Sequence, residues 1–183
     1  NAYSTWTDPP RDIERIEPNV LIHIALINNW ADYTKSLAAP APNWNLAAVE
    51  SFRRWKDLGV NEIYTYEYWS GYGWPGPLPI ARTIADRLRH YRDFNIRGVY
   101  NETHPSWGTQ GLELYMFSRL IRDPDLDVER ELDLYYTNYY GPAAEPMKAY
   151  HETWMRALAQ HPHPVFSGGR GMHLLMTPDL IAE

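Results

Sequence analysis

Asn61-Glu62-Ile63-Tyr64-Thr65-Tyr66-Glu67-Tyr68-Trp69, running into Ser70-Gly71-Tyr72-Gly73-Trp74-Pro75-Gly76-Pro77, joins a β-type segment to an aromatic loop, with one carboxylate near the junction. Aromatic and β-branched side chains favour a pleated strand and the Gly/Pro cluster ends it. The pattern predicts a strand of about eight residues followed by a long loop. Alternation places Ile63, Thr65, Glu67 and Trp69 on one face, and Tyr64, Tyr66 and Tyr68 on the other. A carboxylate at the C-terminal end of a strand, beside such a loop, stands where α/β sheets and barrels keep their sites.

Working outward, residues 19–27 form a nearly continuous apolar run of the kind buried on both faces of a parallel sheet, with His23 and Ala25 sharing a side. Residues 2–6 read as a short strand stopped by Asp8-Pro9-Pro10, and residues 28–42 as a long loop. A helix is expected over residues 45–58, with Asn45 as N-cap, Gly59 as stop, and Leu46, Val49, Phe52 and Trp55 as its apolar stripe. The next helix, residues 80–94, turns Ile80, Ile84, Leu88 and Tyr91 inward and leaves Arg82, Arg87, Arg89 and Arg92 outward. A further strand over residues 96–102 ends in Glu102, followed by a loop that holds His104 and Trp107. Beyond Gly111 the pattern is helical, with stripes at Leu112, Met116 and Leu120, then Val128, Leu132, Tyr135, Tyr136 and Tyr139, then Met147, Tyr150, Trp154 and Leu158.

Strands alternating with helices predict a parallel sheet with right-handed crossovers, an α/β fold. Four strands do not close a barrel, and a complete eight-stranded barrel takes about 250 residues. The expectation is therefore the C-terminal half of a (β/α)8 TIM-type barrel. Residues 1–110 would supply four strands and the site-forming loops, and residues 111–183 a helical extension cut off at its C-terminus. A chain that opens at Asn1 is expected to lack its true start.

The formal net charge of −6 argues against a nucleic-acid surface and favours a neutral or cationic ligand. The longest apolar run is far short of the roughly 20 residues of a membrane span. With no cysteine, thiol catalysis and thiolate metal sites are excluded. His161 and His163 form an HxH pair without further ligands, so no metal and no cofactor is expected. Gly168-Gly169-Arg170-Gly171 lacks the strand and helix that flank a phosphate loop.

Glu67 and Glu102 end neighbouring strands at the same edge. Two carboxylates flanking one bond are the requirement of glycoside hydrolysis, at about 5 Å for retention or about 6.5–9.5 Å for inversion. Trp69, Tyr72, Trp74 and Trp107 offer flat faces with polar edges for a sugar, and Trp6 and Trp30 follow the first two strands in the same way. His104 stands two residues from Glu102, where it would tune that carboxylate or bind a hydroxyl. His23, alone on an apolar strand, reads more readily as a hydrogen-bonded interior residue than as a ligand group. The bland alternatives are glutamates paired with arginines and aromatics packed in loops, which would make the chain a binding barrel without turnover or a structural module.

The order of Ala2-Tyr3 with Pro9-Pro10, Asn19-Val20, Ile63 to Tyr68, Ile96 to Tyr100, the segment Arg122-Asp123-Pro124-Asp125-Leu126-Asp127-Val128 and Tyr139-Tyr140-Gly141-Pro142-Ala143-Ala144 resembles bacterial domain-of-unknown-function family 4838. That family is the barrel domain associated with α-glucuronidase-like glycoside hydrolases. The resemblance implies the later half of a glycosidase-like barrel in an exported, extracytoplasmic carbohydrate-degrading protein. It also implies that a further acid lies on a strand in the upstream half of the barrel. A uronic-acid or hexosamine glycoside is the implied substrate.

Overall fold

Three short parallel strands carry the fold: β1 (Leu21–Ala25), β2 (Glu62–Glu67) and β3 (Gly98–Asn101), hydrogen-bonded in the order β1-β2-β3. The computed structural model describes residues 1–26, 32–40, 43–69, 77–103, 107–165 and 171–182. Helices α1 (Leu46–Asp57) and α2 (Ala81–Asp93) are the crossovers. Then come α3 (Trp107–Leu120), α4 (Val128–Tyr140) and α5 (Ala144–Gln160), with the short α6 (Met172–Leu175) and α7 (Pro178–Ala182) last. The molecule is a mixed α/β structure around a small parallel sheet.

Residues 2–6 do not form the expected fourth strand. Ala2 makes one parallel bridge to Ile24, and the chain then turns into a 3-10 helix over Ser4–Trp6, with Ser4 at φ 55°. Thr7 closes that turn by donating its hydroxyl to Ser4 O at 2.8 Å, a local bond that competes with a ladder.

The alternation read from β2 holds. Ile63, Thr65 and Glu67 are buried, whereas Tyr64 and Tyr66 are half-buried on the other side. Both helices lie on the Ile63 side, where Phe52 of α1 meets Tyr91 of α2 edge-on at 5.9 Å and Tyr91 reaches Glu67. Right-handed crossovers between sequential neighbours dictate this, because each must return on the same side of the sheet. Among the described residues no helix covers the opposite face, with Leu21, His23, Tyr64, Tyr66 and Tyr100, and Leu21 and Tyr100 are 54% and 56% exposed. Gly98 belongs to this face: a Cβ there would meet Cδ1 of Tyr64 at 2.9 Å, so the tyrosine ring lies over bare backbone.

Four expectations about helix faces need correction, one of them Tyr139, placed on the apolar stripe of α4 but exposed. Leu46 is exposed although Val49, Phe52 and Trp55 are buried. Arg87, expected outward, is completely buried, because it stands three residues after Ile84 and four before Tyr91 on the inward stripe. The buried side of α5 is His151, Met155 and Leu158, with Tyr150 exposed.

The helical part is tied to the sheet unit through α2. Helix α3, which spans position 110, packs along α2, and Glu113 accepts from the Ile80 amide at the start of α2 at 3.3 Å. Arg82 of α2 reaches Glu129 of α4 and Glu152 of α5, both at 2.7 Å. Asp127 caps α4 by accepting from the amides of Glu129 and Arg130.

Phe52 is fully buried where α1 meets α2. Phe52→Ala is expected to cost about 3–5 kcal/mol in urea unfolding at an unchanged slope. A loss under about 1 kcal/mol, the size of an ordinary point mutation, would show that this seam does not hold the helices to the sheet.

Candidate functional site

The bare face of the sheet becomes concave at the C-terminal ends of the strands. There a cavity of about 320 Å³ is lined by Asn1, Tyr3, His23, Ala25, Tyr66, Tyr68 and Glu102. Residues on alternate positions of β1 and β2 supply its wall, since His23 pairs with Tyr64 and Ala25 with Tyr66 in the register. The rings form a continuous group, with Tyr66 4.6 Å from Tyr100, 5.2 Å from Tyr68 and 5.7 Å from His23, centroid to centroid. His23 donates Nε2 to Thr65 O at 3.1 Å, so it lines the cavity with its ring while anchored to backbone.

Glu102 is the carboxylate of this cavity. It accepts a 2.5 Å hydrogen bond from the Tyr66 hydroxyl. That bond first, and burial second, push the Tyr66 phenol up to about 12, so Tyr66 stays a donor to Glu102 at any ordinary pH. Burial and the neighbouring Tyr3 raise the Tyr68 phenol as well.

Glu67 lies on the other side of the sheet. In the β2–β3 register it stands opposite Asn101, not Glu102. Asn101 shares its face and accepts from the Trp69 amide at 2.8 Å. Glu102, one residue further, points the opposite way, its backbone amide bonded to Glu67 O at 2.8 Å. Glu67 is fully buried beneath α2, where Tyr91 donates its hydroxyl to Oε1. Burial pushes its carboxyl up to about 7, against the opposing pull of the Arg87 charge and the Tyr91 hydrogen bond. Arg87 in turn donates to Asp32 O at 3.2 Å and to Asn45 Oδ1 at 3.0 Å. Asn45 stands at the expected N-cap position of α1 but makes no side-chain capping bond, because its side chain is committed to Asp32 and Lys35. The two glutamates are thus held on opposite faces of one sheet, and no described cavity contains both.

The remaining candidates divide. Trp69 is fully buried against Phe117 at 5.3 Å and is a core residue. Trp107 is exposed at the start of α3. Trp6, also exposed, rims a separate hollow of about 820 Å³ between the N-terminal segment and α1. That hollow is the larger one, but it is crossed by structural bonds, Arg54 to Asp8 at 2.9 Å and Trp55 Nε1 to Thr7 O at 2.8 Å. It shares Asn1 with the Glu102 cavity and is otherwise lined by the N-terminal segment, Ile22 and the end of α1. Trp30, Tyr72, Trp74 and His104 lie outside the described residues. Among the described residues no group of three metal-ligating side chains occurs, and no helix is long and apolar enough to cross a membrane. Tyr3, Tyr66, Tyr68, Arg87 and Tyr91 were not singled out as site residues from the sequence. The alternation of Tyr64, Tyr66 and Tyr68, and the spacing of Ile84, Arg87 and Tyr91, were the signals for four of them.

The family model of a domain of unknown function (DUF4838) matches residues 1–152. The chain belongs to this family. The DUF4838 match takes in all three strands, the Glu102 cavity and the Glu67 cluster, and it ends within α5. No curated protein and no solved structure matches the chain.

The Glu67 cluster of this DUF4838 chain has a pH signature. Its folded value of about 7 lies above the ordinary 4.5, so the folded chain keeps this proton over a range in which the unfolded chain has lost it. The associated stability is whole below 4.5 and is lost as pH rises through about 7. Glu67→Gln keeps an acceptor for Tyr91 and removes the titration. The wild type is therefore expected to lose stability relative to this variant across that window, as followed by urea unfolding. A difference that stays constant with pH would contradict the buried, proton-holding role.

Proposed function

We propose that this DUF4838 chain is a carbohydrate-binding part of a glycosidase-like βα barrel, with the Glu102 cavity as its sugar site. The observation that carries the proposal is the Tyr66–Glu102 hydrogen bond inside an aromatic-walled hollow at the strands' C-terminal edge. Tyrosine faces and a carboxylate are complementary to the apolar ring faces and hydroxyl edges of a sugar. The barrel context is supported by the one-sided helix layer: strands wound in one direction, with a bare aromatic inner face, suit the wall of a barrel whose other strands lie upstream. The ligand class is a uronic-acid or hexosamine glycoside, in an extracytoplasmic protein.

In the hydrolytic form of this proposal Glu102 is the acid or base at the glycosidic oxygen. The second carboxylate comes from elsewhere in the barrel, since Glu67 is sealed beneath α2. The non-catalytic form, binding without turnover, is favoured by the same separation of Glu67 from Glu102. Glu67 has a supporting role in both: it holds the β2 terminus whose carbonyl anchors the Glu102 amide.

Glu102→Gln and Tyr66→Phe are each expected to weaken saccharide binding roughly tenfold, the loss that follows from removing one charge-assisted hydrogen bond. Intrinsic fluorescence titration with a panel of uronic-acid and hexosamine glycosides reads the binding, and product release from the same panel reads turnover. Glu102→Gln abolishing turnover selects the hydrolytic form. Binding with no product from the wild type selects the other. A panel to which neither the wild type nor the variants respond refutes both.

A further inference from the structure

Resting on the carbohydrate proposal, we infer that the sugar taken by the Glu102 cavity carries a free amino group, making the ligand class a cationic amino sugar and not a uronate. The hydrogen-bonding inventory of the cavity points this way. Glu102 is the one acidic or basic side chain other than the imidazole of His23 among the described lining residues. As a carboxylate it accepts and does not donate. The Tyr66 hydroxyl spends its single proton on Glu102 at 2.5 Å, which leaves its oxygen as an acceptor toward any ligand. His23 commits Nε2 to Thr65 O. In the corner immediately around Glu102 the ligand therefore meets acceptors, the carboxylate and the Tyr66 oxygen, while the donors of the cavity, the Asn1 carboxamide and the Tyr3 and Tyr68 hydroxyls, belong to its other lining residues.

An ammonium group is the complement of such a corner, with three donors and a positive charge. Two further features favour it. The Tyr66 ring, tilted against Tyr68 in the cavity wall, presents a face that attracts cations. The chain's net charge of −6 raises the local concentration of a cationic ligand and lowers that of an anionic one. A uronate would set carboxylate against carboxylate. The buried cation Arg87 does not offset this, because it sits on the far face of the sheet, bonded to Asp32 O and Asn45. An N-acetylated sugar loses the charge and two of the three donors.

Binding of glucosamine, N-acetylglucosamine, glucose and glucuronate, each as its methyl glycoside, to the full chain at low salt tests the inference by calorimetry or intrinsic fluorescence. The amine is expected to bind at least roughly tenfold more tightly than its acetylated form, with glucuronate weakest, as for a charge-assisted hydrogen bond. Raised ionic strength should shrink the difference, and Glu102→Gln, which keeps the shape and removes the charge, should erase it. Equal affinity for amine and acetamide, or a preference for glucuronate, overturns the inference and leaves the carbohydrate proposal standing. Absence of binding by all four sugars overturns both. The wild-type comparison of amine with acetamide does not depend on any variant folding.

Discussion

Handedness is the constraint on which the rest of this structure depends. Three parallel strands in sequential order must be joined by right-handed crossovers, and these place α1 and α2 on one side of the sheet. One face is thereby sealed and the other left bare. The sealed face becomes a core of Ile63, Phe52, Ile84, Leu88 and Tyr91. The bare face becomes a row of tyrosines and a histidine that bury one flank against each other. A doubly wound sheet would have covered those rings with a second helix layer and closed the cavity at Glu102.

The two faces treat the same kind of group in opposite ways. On the sealed side Glu67 loses its water, receives one hydrogen bond from Tyr91, and is pushed up to about 7 by burial. Arg87 is drawn into the same layer and satisfied in part by the backbone of Asp32 and the amide of Asn45. Such clusters are expensive to desolvate and specify one arrangement of the elements that supply them. On the bare side Glu102 keeps its access to solvent and has a phenol for a partner. The first carboxylate organises the fold, and the second is available to a ligand.

The helices after the sheet are joined to it mainly through α2. Glu113 from α3 accepts from the Ile80 amide at the start of α2, and burial pushes its carboxyl up to about 8. Arg82 reaches acids on two further helices, and these pairs are partly exposed, so each contributes little by itself. What fixes the arrangement is the apolar packing beneath them, with Leu112, Met116, Leu120 and Leu132 buried. The Asp127 cap and the Gly141 turn, at φ 52°, set where α4 begins and ends.

Much of this was legible in the residues alone. Alternation in residues 63–69 separated Ile63, Thr65 and Glu67 from Tyr64, Tyr66 and Tyr68, and 3.6-residue spacing placed Ile84, Leu88 and Tyr91 on one side of α2. Gly59, at φ 83°, ended α1 where expected. These are local properties, set by the geometry of a single strand or helix. What only the tertiary structure decided was which residue of β3 stands beside Glu67. Asn101 takes that place, and a shift of one position sends Glu102 to the other face. The burial of Trp69 was settled in the same way, by Phe117 from a distant segment. Periodicity fixes a side chain's direction within its own element. The register between elements depends on how the crossover helices pack, and a sequence read one segment at a time does not contain that information.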